Sequence, residues 1–247
     1  MNHTTSQIHK QGTLLSLAEL RKNCQPQIPA YLEDVYWWAY VRPGAISFFE
    51  RQWLANLILL GNFVMLRDKA LAELEPCVHG RTLQIACVYG DFTPRLVEHI
   101  GERGMLDVVD VVPAQLENLR RKLPASTHVR LSQSDSTSLK FNDATYDQAI
   151  LFFLLHEMPA EVREQTLAEA LRVLKPGGKL VIVDYHKPPR FNLLRYLFPI
   201  MFTLLEPFAL AIWKHEVSDW FPHGFKPASL SKETMFGGLY QKVVIVK

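Results

Sequence analysis

From Arg81 onward the chain alternates short apolar runs with helix-forming ones, and this rhythm restricts the possible fold more than any other feature. TLQIACV, MLDVVDVV, HVRLSQSD, YDQAILFFLL and KLVIVDYH read as strands rich in β-branched and aromatic residues. TPRLVEHIGERG, PAQLENLRRKLP and EVREQTLAEALRVLKPGG read as helices. The second of these opens on Pro113, whose missing N–H is harmless at a first helical position. Strands spaced by helices of this length form βαβ units and a parallel sheet covered on both faces. The expected fold class is therefore α/β, a Rossmann-like and mostly parallel sheet. MFGGLYQKVVIVK should add a turn and a last, antiparallel strand. Upstream, residues 13–75 read as helical and divide at Pro43-Gly44. The expected organisation is a flexible tail over 1–12, a helical segment over 13–78, and the Rossmann-like domain over 79–247 with an apolar insertion at about 191–225.

Composition narrows the function. With 27 Lys and Arg against 25 Asp and Glu the formal charge is +2, and there is no local basic patch, so nucleic acid is not an expected partner. Cys24, Cys77 and Cys87 lack the CxxC spacing of a structural zinc site or a disulfide scaffold and suit a reducing cytoplasm. MNHTTSQIHKQG has no apolar core of a signal peptide. Trp53 to Leu66 is uncharged but shorter than the ~20 residues a bilayer span needs. Leu193 to Trp213 is long enough, yet Arg195 and Glu206 interrupt it, and Pro199 and Pro207 are expected to break its helical ladder. Apolar on every face, this tract reads as an element that lies on a membrane or meets a lipid substrate.

In an open parallel sheet, ligands bind beyond the carboxyl ends of the strands. Asp110 ends the second strand, 20 residues after Gly90, where a carboxylate accepts both hydroxyl protons of a ribose; the alternative is a helix-start carboxylate before Pro113. Asp135, in SQSDSTSL with Ser136, either meets an adenine amino group or forms an Asx turn. His156 and Glu157 end the fourth strand, and Asp184 and His186 the fifth. These are candidates for proton transfer or metal ligation.

From Arg81 to the C-terminus the chain resembles the class I S-adenosylmethionine-dependent methyltransferases. The carriers are the acid-ended second strand, the SDS turn, LLHEMP and ALRVLKPGGKLVIVD. Within that superfamily it is similar to the ubiquinone and menaquinone C-methyltransferases, which also continue this strand as YHKP does here. The glycine loop departs. The family shows an acid and then three alternate glycines, whereas this chain has Gln84, Ala86, Val88 and Gly90. Alternate glycines let backbone approach a ligand, so Val88 should reposition the methionine end of the cofactor. The resemblance assigns cofactor contacts to Gln84, Ala86, Val88, Gly90, Asp91, Asp110, Asp135 and Ser136.

Over nearly its whole length, through this loop, YLEDVYWWAYVRPG, FERQWLANLILLGN and VVDYHKPP, the chain looks like the rhodoquinone-biosynthesis proteins. The resemblance implies conversion of ubiquinone to rhodoquinone, a ring methoxy group being replaced by an amino group. S-adenosylmethionine then serves as amino donor, with manganese, Mn(II), required and anaerobic respiration as the setting. It further implies a cytoplasmic protein peripherally associated with the inner membrane. A neutral Gln84 in place of the acid would no longer hold the donor amine as ammonium. Tyr89, His156, Asp184 and His186 are then expected to be catalytic. Asp91 and Glu157 are expected to bind the metal, with helix capping as the alternative for Asp91. The N-terminal helices should form a lid in which Tyr31, Tyr36, Trp37, Trp38 and Tyr40 line a quinone pocket, unless these aromatics are ordinary core.

Overall fold

The structure is a computed structural model that describes residues 26–75, 80–124 and 128–247. The tail over 1–12, Cys24, Cys77 and the side chain of Tyr40 lie outside the described residues.

The N-terminal segment is more broken than its sequence predicts. It comprises α1 (Ala30–Val35), a π-helical turn (Trp37–Val41), α2 (Pro43–Phe49), α3 (Gln52–Ile58) and α4 (Phe63–Leu71). The division expected at Pro43 is present: Arg42 is extended between the π-helical turn and α2, which Pro43 opens as its fixed φ allows. A further break lies at Leu60 and Gly61, which take φ of 52° and 80°. Asn62 Nδ2 there donates to the carbonyls of Leu59 (3.0 Å) and Leu60 (2.9 Å), satisfying the end of the preceding helix.

The domain that follows alternates β1 (Arg81–Ile85), α5 (Phe92–Ile100), β2 (Met105–Asp110), α6 (Pro113–Lys122), β3 (Val129–Gln133), β4 (Tyr146–Phe152), α7 (Ala160–Val173) and β5 (Leu174–Tyr185). After α8 (Leu194–Leu205) and α9 (Ala209–Ile212), β6 (Ser229–Met235) and β7 (Tyr240–Val246) complete the sheet. The strand order is β3-β2-β1-β4-β5-β7-β6. The first five strands run parallel, and β7 inserts antiparallel between β5 and β6. The sequence predicts one strand here and the structure has two. SLSKETM is almost wholly exposed on the sheet edge, so it carries no apolar signal. The strands that position the site, β1, β2, β4 and β5, are buried nearly throughout. Lys-Pro-Gly-Gly works at close quarters: a Cβ on Gly178 would stand 2.8 Å from the Lys175 carbonyl oxygen and 3.1 Å from that of Asp147.

The apolar insertion also differs from expectation. α8 continues through Pro199 rather than ending there, and Pro207 lies beyond its end. It is not apolar-exposed all round: Phe198 and Phe202 are buried and pack against Tyr185, and Trp213 is buried too. Tyr196, Leu197, Ile200 and Leu204 face outward. Among the described residues no helix is long and apolar enough to cross a membrane.

Candidate active site

Two adjoining hollows open beyond the carboxyl ends of the strands. The first, a cleft of about 710 Å³, is lined by Tyr31, Ala86, Cys87, Asp110, Asp135, Ser136 and Glu157 among others. The second, a chamber of about 1210 Å³, is mostly apolar and is walled by Trp38, Phe49, Ile58, Val88, Tyr89, Met201 and Leu205. His156, Glu157 and Glu206 supply its ionisable groups. Cys87, Phe152, Phe153 and Glu157 line both hollows, so a ligand in one can meet a ligand in the other.

The cleft is shaped by Asp110. Its Oδ2 accepts the Cys87 N–H and its Oδ1 accepts the Val112 N–H, each at 2.8 Å, which ties the β1 loop to the start of α6. Burial, opposed by these N–H donors, raises its carboxyl to about 6. Asp110 thus braces the entry to α6 and also lines the cleft. Asp135 also lines the cleft, with Oδ1 turned back to accept from the Thr137 N–H and hydroxyl, both at 2.8 Å, in an Asx turn. Ser136 Oγ pairs with Thr166 Oγ1 at 2.8 Å.

The loop after β1 keeps a glycine's conformation without its glycine. Ala86 stands at φ 71°, a left-handed geometry that strains a residue bearing Cβ. Gly90, at φ 74°, takes the left-handed geometry that favours glycine, and a Cβ there would fall 2.5 Å from Gln52 Oε1, so the end of that side chain would have to move. The N-terminal helices close over this loop through polar contacts. Gly90 N–H donates to Glu50 (3.2 Å), Asp91 N–H to Gln52 (2.8 Å), and Tyr89 O–H to the Ala39 carbonyl (2.7 Å). Lys122 Nζ anchors Glu50 at 2.6 Å from α6.

Several sequence expectations are corrected. Gln84 lines neither hollow; fully buried, it accepts from the Thr93 hydroxyl (3.0 Å) and donates to the Ala86 carbonyl (2.9 Å). Asp91 is turned away, with Arg67 at 2.6 Å and Arg95 at 3.5 Å. His186 is outside both hollows, Nδ1 lying 2.8 Å from the Gly238 carbonyl, and burial lowers its pKa. Tyr89 presents its ring to the chamber, but its hydroxyl is spent on Ala39 and on Gln115, whose Nε2 donates to it at 2.8 Å. Tyr31 lines the cleft, not the chamber. Tyr36 is buried behind both, and Trp37 points outward against Arg42 at 4.1 Å. Of the aromatic run Trp38 does line the chamber, and Phe49 of α2 joins it.

What the structure does bring together is His156, Asp184, Glu157 and Glu206. Asp184, wholly buried, accepts the Tyr185 N–H at 2.7 Å and lies 2.8 Å from His156 Nδ1. The other ring nitrogen, Nε2, lies 3.9 Å from Glu157 Oε1 and 4.0 Å from Glu206 Oε2. Burial alone would lower the His156 pKa, but Asp184, with Glu206 and Glu157, outweighs it and raises it to about 9. Glu206 escaped the sequence reading because only folding of the apolar insertion brings it here. Asp91 and Glu157 do not share a hollow, and among the described residues no three His, Cys, Asp or Glu side chains come together as a metal site. The residues present therefore do not fit the expected Mn(II) centre.

Comparison with known proteins agrees with this geometry. Residues 82–178 match the methyltransferase domain family. The fold is that of the class I S-adenosylmethionine-dependent methyltransferases. A SAM-dependent methyltransferase structure from Aquifex aeolicus aligns with 83% of this chain and 98% of its own, at a TM-score of 0.50 and 18% identity. The N-methyltransferase NodS from Bradyrhizobium japonicum WM9 aligns with 74% of this chain and 93% of its own, at 0.51 and 14%. In sequence the chain is related to quinone C-methyltransferases. A ubiquinone/menaquinone biosynthesis C-methyltransferase of Stutzerimonas stutzeri (strain A1501) is 32% identical over 139 residues, 55% of this chain. A demethylmenaquinone methyltransferase of Shouchella clausii (strain KSM-K16) is 31% identical over 160 residues, 62% of this chain and 66% of its own. The chain spans only 54% of the Stutzerimonas relative's length.

Proposed function

We propose that this protein is an S-adenosylmethionine-dependent transferase that converts ubiquinone to rhodoquinone, placing the amino group of S-adenosylmethionine where a ring methoxy group was. Asp110 and Asp135 at the cleft would hold the ribose and adenine, and the apolar chamber would take the quinone ring. The observation that carries the reading is the loop between them. Ala86 keeps the glycine conformation, while Val88 and Tyr89 fill the chamber wall where alternate glycines would leave open backbone. Mn(II) has no ligand set among the described residues, and no step is derived through it.

The lipid substrate and the membrane surface belong to the same reading. Ile58 and Leu205, both half exposed, line the chamber and join it to the outward faces of α3 and α8. Trp53, Leu57, Leu197, Ile200 and Leu204 extend that apolar face, and the exposed Lys187 and Arg190 flank it. Such a surface suits peripheral attachment to the cytoplasmic side of the inner membrane. The relatives favour a second reading, ordinary methyl transfer to a quinone ring. Incubating the protein with S-adenosylmethionine labelled with ¹⁵N in its amino group, with ubiquinone in one arm and a quinone lacking the ring methyl in the other, separates the two. Label in an amino quinone that has lost one methoxy group is the expected product of the first arm; ring methylation in the second arm with no labelled product in the first would overturn the proposal.

A further inference from the structure

The chamber holds an acidic side chain that neither the sequence motifs nor the cofactor cleft account for. Glu206 follows α8, far in sequence from the strand ends, yet it lines the chamber beside His156 and its Oε2 atom is buried. Its oxygen and His156 Nε2 are 4.0 Å apart, close enough for direct proton exchange after a small side-chain shift. We propose that Glu206 and His156 form an acid–base pair for exchange at the quinone ring, Glu206 as proton acceptor and His156 as proton donor. This rests on the amination reading above.

The step is an addition and elimination at one ring carbon. The donor amine forms a carbon–nitrogen bond there, and the bond from that carbon to the methoxy oxygen breaks. The proton lost by nitrogen goes to the Glu206 carboxylate. The proton on His156 Nε2 goes to the departing oxygen, which leaves as methanol. Return of the proton from Glu206 to His156 restores both groups, so this exchange consumes no outside acid, base or oxidant; its product is a secondary amine that still carries the donor's α-carbon, and the bond from nitrogen to that carbon breaks in a separate later step. The surroundings set the pair in the required states. Asp184 on β5, with Glu157 from the turn before α7, keeps His156 charged up to about pH 9. Burial raises the Glu206 carboxyl, whereas His156 and the Tyr36 hydroxyl lower it and Asp184 raises it further. Arg163 on α7 faces Asp184 from behind, and the Tyr185 ring stands 4.9 Å from the imidazole. The pair thus lies between a buried polar group, Asp184, Glu157 and the Tyr36 hydroxyl, and the mostly apolar chamber.

Glu206→Gln tests this. Amination should fall about a hundredfold, with S-adenosylmethionine affinity unchanged, and the acid limb of the pH–rate profile should vanish while the alkaline limb, set by His156, remains. Glu206→Asp should recover part of the rate and restore the acid limb, which a purely structural role would not produce. Independently of turnover, an NMR titration of the His156 imidazole should show its pKa falling in Glu206→Gln. Wild-type rate with both limbs intact, or an unchanged His156 titration, would overturn the pair. A wild-type protein that methylates rather than aminates would overturn the amination reading, and the pair would then be judged on the titration.

Discussion

Asp110 shows how one side chain can serve the fold and the ligand together. Both its oxygens brace backbone N–H groups, and burial, the larger influence, holds its carboxyl near 6. A ribose hydroxyl is best accepted by the ionised form. The sign follows: as pH falls through about 6 the carboxyl takes up a proton and cofactor affinity should weaken, approaching tenfold per unit, with a plateau above. Calorimetric titration of S-adenosylmethionine between pH 5 and 8 checks this, and Asp110→Asn should bind weakly with no such slope. Asp110, Asp135 and His156 were legible in the sequence because they end strands, and strand ends are marked by the alternation itself. Asp91 and His186 are marked the same way, and Gln84 by the resemblance of its loop, yet each is claimed by a partner the sequence does not reveal, respectively Arg67, the Gly238 carbonyl and Thr93.

Among the elements, the 3₁₀ turn Leu155–Glu157 matters most, because it carries His156 and Glu157 out of β4 into the chamber. It is pinned from α7 by Arg163, which is fully buried. The guanidinium donates to the carbonyls of Leu155 (2.9 Å) and Met158 (2.8 Å) and lies 4.3 Å from the Trp220 ring centroid. Arg163→Met should remove the buried donor to both carbonyls, leaving that of Leu155 only its 3.3 Å bond from the Met158 N–H, and destabilise the protein by about 1–3 kcal/mol, read as a lower midpoint in urea unfolding. The sequence placed strands and helices of the sheet well, since burial on two faces writes itself as continuous apolar runs. It failed for β6, whose side chains face water, and for the breaks among α2, α3 and α4. There a left-handed Leu60 and a π turn depend on packing rather than on propensity.

At the scale of the molecule, water-facing and lipid-suited surfaces are segregated around one pair of hollows. The cleft opens beside Pro29 and Asp135, and the chamber opens between α3 and α8 where apolar side chains are exposed. Replacing both Leu197 and Ile200 by Glu adds charge on residues about 60% exposed, so folding should be little affected. Binding to vesicles of mixed neutral and anionic lipid should fall at least tenfold, measured by co-sedimentation; unchanged binding would remove this face from any membrane role. On the proposed reading, with the protein on a membrane and the quinone its substrate, the chamber's mouth has a kinetic consequence. A quinone that enters from the bilayer is counted per lipid, not per litre, while the cofactor is counted per litre. Turnover should therefore slow when inert lipid dilutes the quinone at fixed total concentration, and the enzyme would sense how crowded its membrane is with substrate rather than how much substrate the cell contains.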